Sequence, residues 1–210
     1  MEKFRLQDAG IPVYLYRVQY QGCQTAQSVN GLEAQDVSVT YSEDEMNAFR
    51  QSIIEQFTWG HRGAQPYIAC FSDKIHAQNW ACSTPWDHGG CGKDSWRLLT
   101  IDTSLIPETY VFRVNDLETR LGFKIPESAS THKRGAYLCL HLIPASAIKD
   151  SASPHKVQSG TQTAAISQGF FPVAYNSADV DERNNKQKSI AGVRDRIRPG
   201  LAKIRKQDPA

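Results

Sequence analysis

The segment from residue 83 to residue 95 places an acid, an imidazole and a thiol within five positions, at Asp87, His88 and Cys91. A thiolate beside an imidazole is a nucleophile, and glycine-rich backbone can approach a substrate closely. One interpretation is therefore a thiol-based catalytic site that uses His88 and Cys91. The other is a solvent-exposed loop of small residues, because neighbours in sequence rarely form a catalytic triad. The sequence leaves both interpretations open.

The same segment contains residue types that bind zinc. Cys82, His88 and Cys91, with His76 as a fourth ligand, would supply two thiolates and two imidazoles. Five residues separate Cys82 from His88 and two separate His88 from Cys91, and this spacing matches no recognised zinc-binding pattern. The sequence therefore predicts no metal site.

Hydrophobic periodicity predicts the elements that must position these residues. Ser42 and Glu45 have the spacing of a capping box, and Phe49 and Ile53 then fall on one face, which predicts a helix over residues 42–57. Shorter helices are predicted over residues 73–82 and 115–121, strands over residues 13–18, 66–71, 97–101, 110–114 and 136–143, and a loop over residues 22–31. Short strands between few helices, without regular strand–helix–strand alternation, indicate the α+β class.

One domain accounts for most of the chain. A length of 210 residues with 40% hydrophobic content is sufficient for one sizeable core and short for two. We place this domain at residues 1–150 and a C-terminal extension at residues 151–210. From Asp181 onward the extension carries nine Lys/Arg against four Asp/Glu, although the net charge of the chain is only +2. The basic tail at residues 181–210 indicates either nucleic-acid contact through phosphates or a solvated helix that packs on the domain.

Composition also excludes two classes of protein. No apolar run approaches the length that spans a bilayer, so we expect no membrane partner. The first residues lack the apolar stretch of a signal peptide, which predicts a cytoplasmic location, with the nucleus as the alternative. The five cysteines are then expected to be reduced thiols. No pattern in the sequence indicates an oligomeric state.

Four segments occur in an informative order along residues 13–148. They are Tyr14–Val18, Tyr67–Asp73, Thr109–Leu117 and Ala136–Pro144. In order and spacing they resemble the motifs of the ADP-ribosyltransferase superfamily, and more closely the enterotoxin A-subunit type with its related fungal domains. The resemblance implies split antiparallel β-sheets with short flanking helices, and NAD as the cofactor if the standard chemistry is retained.

The resemblance also implies roles for residues in these segments. Arg17 would hold the phosphates and ribose of NAD, since a planar guanidinium offers paired donors to anionic oxygens. The remaining residues implied to line the cofactor pocket are Tyr16, Tyr67, Ala69 and Ala136. The pocket would then lie where the first, second and fourth segments meet.

Two further side chains become candidates for catalysis through the same resemblance. The position of the family's serine falls on Ala69, and Ser72 carries the hydroxyl closest to it. His61 precedes the second segment, in a loop that often lines the family's site. A turn that ends the preceding helix would explain His61 equally well.

The position of the family's catalytic glutamate falls on Ala136. In the family this carboxylate hydrogen-bonds the ribose and stabilises developing positive charge, which a neutral side chain does not do. The preceding Glu or Gln position falls on Arg134, the nearest upstream acid is Glu127, out of register, and residues 128–149 contain no glutamate. The sequence therefore predicts the family's scaffold and argues against standard NAD-dependent ADP-ribosyl transfer.

Three functions stay open, and we favour an enzyme of the transferase class. The first is a mono-ADP-ribosyltransferase with a displaced acid. The second is a transferase that uses aminoacyl-tRNA on the same scaffold, as the fungal arginine-containing cyclodipeptide synthases do, with the basic tail at residues 181–210 contacting tRNA. The third is a pseudoenzyme that binds a partner through the cleft.

Overall fold

The computed structural model describes residues 1–58, 60–83, 95–106, 110–130, 133–157 and 159. The strands are β1 (Tyr14–Tyr20), β2 (Ala26–Ser28), β3 (Gly31–Glu33), β4 (Tyr67–Phe71), β5 (Trp96–Asp102), β6 (Val111–Arg113), β7 (Ala136–Leu140), β8 (Leu142–Pro144) and β9 (Ile148–Ala152). The helices are α1 (Met46–Gln56), α2 (Lys74–Ser83) and α3 (Val114–Leu121). The pairs that these strands form are antiparallel, and the mixture of helices and antiparallel sheets confirms the predicted α+β class.

The larger sheet has the strand order β6-β7-β4-β1-β5-β9. All seven residues of β1 pair with β5, but β1 meets β4 through a single pair, Tyr16 with Phe71. On the other side, all five residues of β4 pair with β7. The sheet is therefore continuous to either side of the β1–β4 junction and open at that junction. The edge strand β9 ends at Ala152, so the sheet extends beyond residue 150, where we placed the end of the domain.

Apolar side chains cover both faces of the larger sheet. On one face Phe49 of α1 and Leu117 of α3 are buried with Leu138 of β7. On the other face Leu32 of β3 and Ile143 of β8 are buried in a separate cluster. The helices thus pack on one face and the smaller sheet on the other, so that the larger sheet is the central layer.

The smaller sheet has the order β2-β3-β8 and differs from the prediction in two places. The loop predicted over residues 22–31 is wrong in part, because it contains β2, whose three residues are all exposed and give no apolar alternation. The single strand predicted over residues 136–143 is also wrong. It is divided into β7 and β8 at His141, whose φ of 64° turns the chain from the larger sheet to the smaller one.

Ser42 and Glu45, predicted as a capping box, instead form a turn before α1, whose N-cap residue Glu45 makes no side-chain capping hydrogen bond. The amide and hydroxyl of Ser42 both donate to the carboxylate of Glu45, at 2.9 and 2.8 Å, and these bonds lower the pKa of Glu45. The helix starts at Met46, later than the predicted start at residue 42, because residues 43–45 form the turn that the bonds close. With this start, α1 ends at Gln56 and places Glu55 in its last turn.

Gly31 begins β3 with a φ of 126° and lies against the backbone of β8. A Cβ at this position would meet the carbonyl oxygen of Ile143 and lie 2.7 Å from the amide nitrogen of Ala145. We expect Gly31→Ala to lower the free energy of unfolding by about 2–5 kcal/mol, because backbone strain and overpacking act together. Chemical denaturation followed by circular dichroism measures the change. The control is Gly122→Ala, at a φ of 64° with no atom within 4 Å of the added Cβ; its loss should be about 1–2 kcal/mol, and equal losses would contradict the prediction.

Candidate functional site

A cleft of about 270 Å³ lies where β1 and β4 separate. Its walls come from β1, β4, β7, α1, α2 and the loops that follow β1 and α1. Successive residues of a strand point to opposite faces of its sheet. Arg17 and Cys70 therefore reach the cleft from one face, and Tyr67 and Ala69 reach it from the other.

Arg17 lies at the centre of β1 and is only 7% exposed. Its Nε donates to Gln19 Oε1 at 3.0 Å, and its Nη1 donates to the carbonyl oxygen of Ala69 at 2.7 Å. Gln19 is held in turn, because its Nε2 donates to the carbonyl oxygen of Thr25 at 2.8 Å. The guanidinium hydrogen-bonds to β4 beyond the point where backbone pairing between β1 and β4 ends. These bonds hold Arg17 in one orientation.

The guanidinium keeps unused hydrogen-bonding capacity. Of the five N–H donors of an arginine, one on Nε and one on Nη1 are used, and Nη2 donates to no protein atom in the described ranges. Among these residues no carboxylate forms a salt bridge with Arg17. A buried charge without a counter-ion costs several kcal/mol. The site therefore favours an anionic ligand such as a phosphate or carboxylate.

The charge of Arg17 also acts on Cys70 in the neighbouring strand. A hydrogen bond from the thiol of Cys139 lowers the pKa of Cys70, and the guanidinium of Arg17 lowers it further, against the opposite effect of burial. The same thiol–thiol bond and burial raise the pKa of Cys139. Arg17 thus influences groups on both β4 and β7, although it belongs to β1.

The wall formed by β4 and β7 combines small residues with one buried tyrosine. Ala69 and Ala136 lie on these adjacent strands and both line the cleft. The hydroxyls of Tyr67 and Ser52 are 2.7 Å apart, and Ser52 also donates to the carbonyl oxygen of Phe49 at 2.8 Å. Burial raises the pKa of Tyr67 above its ordinary range. This wall is therefore uncharged, with its tyrosine fixed against α1.

Three aromatic rings line the cleft beside α2. The ring centroid of Trp80 lies 6.5 Å from that of Tyr20 and 6.1 Å from that of Phe71. Both pairs are tilted, an arrangement that aromatic rings prefer over face-to-face stacking. The cluster offers a surface against which a planar ligand ring can pack.

Glu55 is a cleft residue that the sequence did not reveal. It lies in the last turn of α1, where its Oε1 accepts from Gln51 Nε2 at 3.0 Å. Its Oε2 is 3.7 Å from His61 Nε2 and 3.5 Å from Gln65 Nε2. The Gln65 amide is also 3.0 Å from His61 Nε2, so it contacts both groups. The structure thus brings the predicted His61 together with an acid from a different element.

The other predicted site residues do not line this cleft, or they lie outside the residues that the structure describes. Tyr16 does not line the cleft and packs with the apolar cluster beneath α2. Ser72 is used in a structural contact, because its amide and hydroxyl both donate to the carbonyl oxygen of Gly135, at 2.8 and 3.3 Å. His88 and Cys91 lie outside the described residues, so their catalytic role stays a prediction.

Neither a metal-binding cluster nor a membrane-spanning helix is present among the residues that the structure describes. In these ranges no group of three His, Cys, Asp or Glu side chains is arranged to hold a metal ion. No helix within them is both long enough and apolar enough to cross a bilayer.

Tyr67 should make stability depend on pH in the alkaline range. Its folded pKa is raised above the value of about 10 that an unfolded tyrosine has. Its contribution is therefore full below about pH 10 and is lost as the pH rises further, because unfolding then releases its proton. Tyr67→Phe should reduce the alkaline slope of the unfolding free energy by up to about 1.4 kcal/mol per pH unit.

Urea titrations between about pH 8 and 11 measure this slope. Tyr14→Phe, at a tyrosine that is 43% exposed, is the matched control and should leave the slope in place. A slope that Tyr67→Phe does not change would show that Tyr67 ionises equally in the folded and unfolded protein.

The family of this chain follows from a comparison with known protein families. The model of a family described as a domain of unknown function (DUF7587) matches residues 10–157. This range contains β1 to β9 and all the residues that line the cleft. No curated protein and no solved structure matches the chain. Because the matched range is more than half of the 210 residues, the chain belongs to the DUF7587 family.

Proposed function

We propose that this protein binds NAD or a related dinucleotide in the cleft between β1 and β4, and that it is a transferase on an ADP-ribosyltransferase-like scaffold. Arg17 carries the proposal. Its guanidinium is buried in β1, has unused donors and forms no salt bridge with a described residue. A diphosphate has the negative charge and the paired oxygens that such a guanidinium binds.

The arrangement of the strands supports this scaffold. The described strands form a six-stranded and a three-stranded antiparallel sheet, and the larger one opens beside β1. Arg17 belongs to the segment that resembles the family's first motif, and Ala136 begins the segment that resembles its last. Both residues line one cleft although they lie far apart in the sequence. The resemblance implies this proximity for an NAD pocket.

The chemistry of the walls supports a dinucleotide over a simple anion. NAD combines a negative diphosphate with planar rings and, in its oxidised form, a positive nicotinamide. The cleft combines Arg17 with the aromatic cluster of Tyr20, Phe71 and Trp80 and with the carboxylate of Glu55. Each part of such a ligand therefore has a group of matching chemistry in the cleft.

Binding without turnover is the second candidate, and the wall at Ala136 favours it. The resemblance places the family's glutamate at this position, and the methyl group present cannot stabilise a developing positive charge. A pseudoenzyme would keep Arg17 and the aromatic cluster for binding and would release no nicotinamide. Turnover assays on the protein that binds NAD separate the two candidates.

The aminoacyl-tRNA hypothesis stays a prediction. It depends on the basic tail at residues 181–210, which lies outside the described residues. The end of an aminoacyl-tRNA also contains a ribose, a phosphate and a planar base, so the chemistry of the cleft fits both ligands. If uncharged tRNA competes with NAD, the two ligands bind in the same cleft, which would support the aminoacyl-tRNA hypothesis together with the proposed site.

Arg17→Ala should weaken NAD binding by about 10- to 100-fold, because charge-assisted hydrogen bonds contribute about 1.5–3 kcal/mol. Isothermal titration calorimetry with NAD measures the affinity, and thermal melting identifies any loss of folding. Arg113→Ala is the matched control. This arginine is bonded to Asp116 at 2.9 Å and does not line the cleft, so its removal should leave NAD affinity unchanged.

A comparison of ligands tests the same contact without a mutation. ADP-ribose, which keeps the diphosphate, should bind with an affinity close to that of NAD, whereas nicotinamide riboside, which has no phosphate, should bind at least about 10-fold more weakly. Absence of NAD binding by the unmodified protein, or equal affinities for the two ligands, would overturn the proposal.

A further inference from the structure

We infer that Arg62 is a second phosphate-binding residue of this cleft, so that Arg17 and Arg62 hold one phosphate each and the cleft selects a diphosphate over a monophosphate. The inference rests on the proposed function and deepens it, because it names the part of the ligand that is recognised and a further residue that recognises it. Arg62 lies in the loop between α1 and β4 and lines the cleft together with Arg17.

The charges that line the cleft do not balance. Arg17 and Arg62 are permanently positive, whereas Glu55 is the one carboxylate among the described residues of the lining. Glu55 accepts from Gln51 and Gln65, and no salt bridge within the described ranges joins it to either arginine. This excess of positive charge favours a ligand with more than one negative charge. The diphosphate of a dinucleotide carries a negative charge on each phosphate.

Arg62 keeps most of its hydrogen-bonding capacity for a ligand. Its side chain is exposed, and Nη1 donates to the carbonyl oxygen of His61 at 3.4 Å. This distance exceeds the usual range of about 2.7–3.2 Å, so the bond is weak and easily exchanged. No carboxylate among the residues that the structure describes forms a salt bridge with Arg62. The other N–H donors of its guanidinium therefore stay available for an anion.

The loop that carries Arg62 is held on both sides of this residue. Before it, Nε2 of Gln65 donates to Nε2 of His61 at 3.0 Å, since an amide nitrogen donates and cannot accept. After it, the carbonyl oxygen of Gly63 accepts from Gln24 Nε2 at 3.3 Å. Gln24 belongs to the loop after β1, so this bond joins two loops that line the cleft. The backbone beside Arg62 is thus held, while its exposed side chain is able to turn to a ligand.

Tyr20 indicates that both guanidinium groups act on one part of the cleft. It ends β1 and also lines the cleft. Burial raises the pKa of Tyr20, and the neighbouring Cys23 raises it further. The charges of Arg17 and Arg62 both lower the same pKa. Because the interaction between charges weakens with distance, both guanidiniums lie near this phenol. Two adjacent phosphates require two cations in one region of this kind.

The two arginines differ in depth, which gives each a different role. Arg17 is 7% exposed and is held in one orientation by its bonds to Gln19 and Ala69, so it binds the phosphate even of a monophosphate ligand. Arg62 is exposed, and the ordering of its side chain on binding offsets part of the energy of its bonds. Its contribution should therefore be the smaller one and should require a second phosphate.

The test compares ADP with AMP, which differ by one phosphate, by isothermal titration calorimetry on the full chain. Arg62→Ala should lower the affinity for ADP and for NAD by about 3- to 10-fold and change the affinity for AMP by less than about 2-fold. Arg17→Ala should lower the affinity for both ADP and AMP, because every phosphate ligand uses this residue. Thermal melting identifies any loss of folding in the variants.

Two further variants separate this recognition from a general effect of charge. Arg50→Ala removes an exposed arginine of α1 that does not line the cleft, so it should leave the affinity for both nucleotides unchanged. Arg62→Lys keeps the charge without the paired donors and should retain part of the preference for ADP.

The failure of this inference is distinguishable from the failure of the proposed function. Equal losses of affinity for ADP and AMP in Arg62→Ala, or no loss for ADP, would overturn the role of Arg62 and leave NAD binding intact. A loss in Arg50→Ala as large as that in Arg62→Ala would also overturn it, since the effect would then be one of net charge. Absence of ADP and NAD binding by the unmodified protein removes both.

Discussion

The hydrogen bond from Arg17 Nη1 to the carbonyl oxygen of Ala69 joins the two halves of the larger sheet where their backbone ladder stops. Past the pair of Tyr16 and Phe71, β1 and β4 diverge, and a buried carbonyl there would otherwise lack a partner. A side chain that bridges the gap leaves space between the strands, which backbone pairing would close. The cleft and the orientation of Arg17 therefore have one origin, namely the opening of this sheet.

The charge of Arg17 adds to its structural role at the opening of the sheet. A neutral amide could bond the Ala69 carbonyl, but only a guanidinium adds further donors and a permanent charge. The second bond of Arg17, to Gln19, extends through Gln19 Nε2 to the loop after β1. At the end of α1, Glu55 supplies the opposite charge. The cleft thus has an electrostatic polarity that suits a ligand with charges of both signs.

A feature of this fold could be predicted from the sequence when its signal lay within a few neighbouring residues. Arg17 was singled out because residues 14–18 resemble the first motif of the ADP-ribosyltransferase superfamily, and α1 could be found because Phe49 and Ile53 repeat with helical spacing. β2 could not be found, because its residues are exposed on both faces. Glu55 was missed for a different reason. A carboxylate on an amphipathic helix has the sequence pattern of a solvated face, and only the return of the following loop places His61 beside it.

The sequence by itself determined the α+β class and the main helices and strands, because these depend on periodicity over a few neighbouring positions, whereas Arg17 was singled out through the resemblance of its segment to a known motif. Only the tertiary structure decided what surrounds Arg17. Its partner Ala69 is 52 positions away, and its lack of an acidic partner among the described residues follows from the strand order and from the place where the sheet opens. The tertiary structure also decided which acid reaches the cleft. Glu55 comes to it through the packing of α1 against the sheet, whereas β7 carries Ala136 and brings no carboxylate.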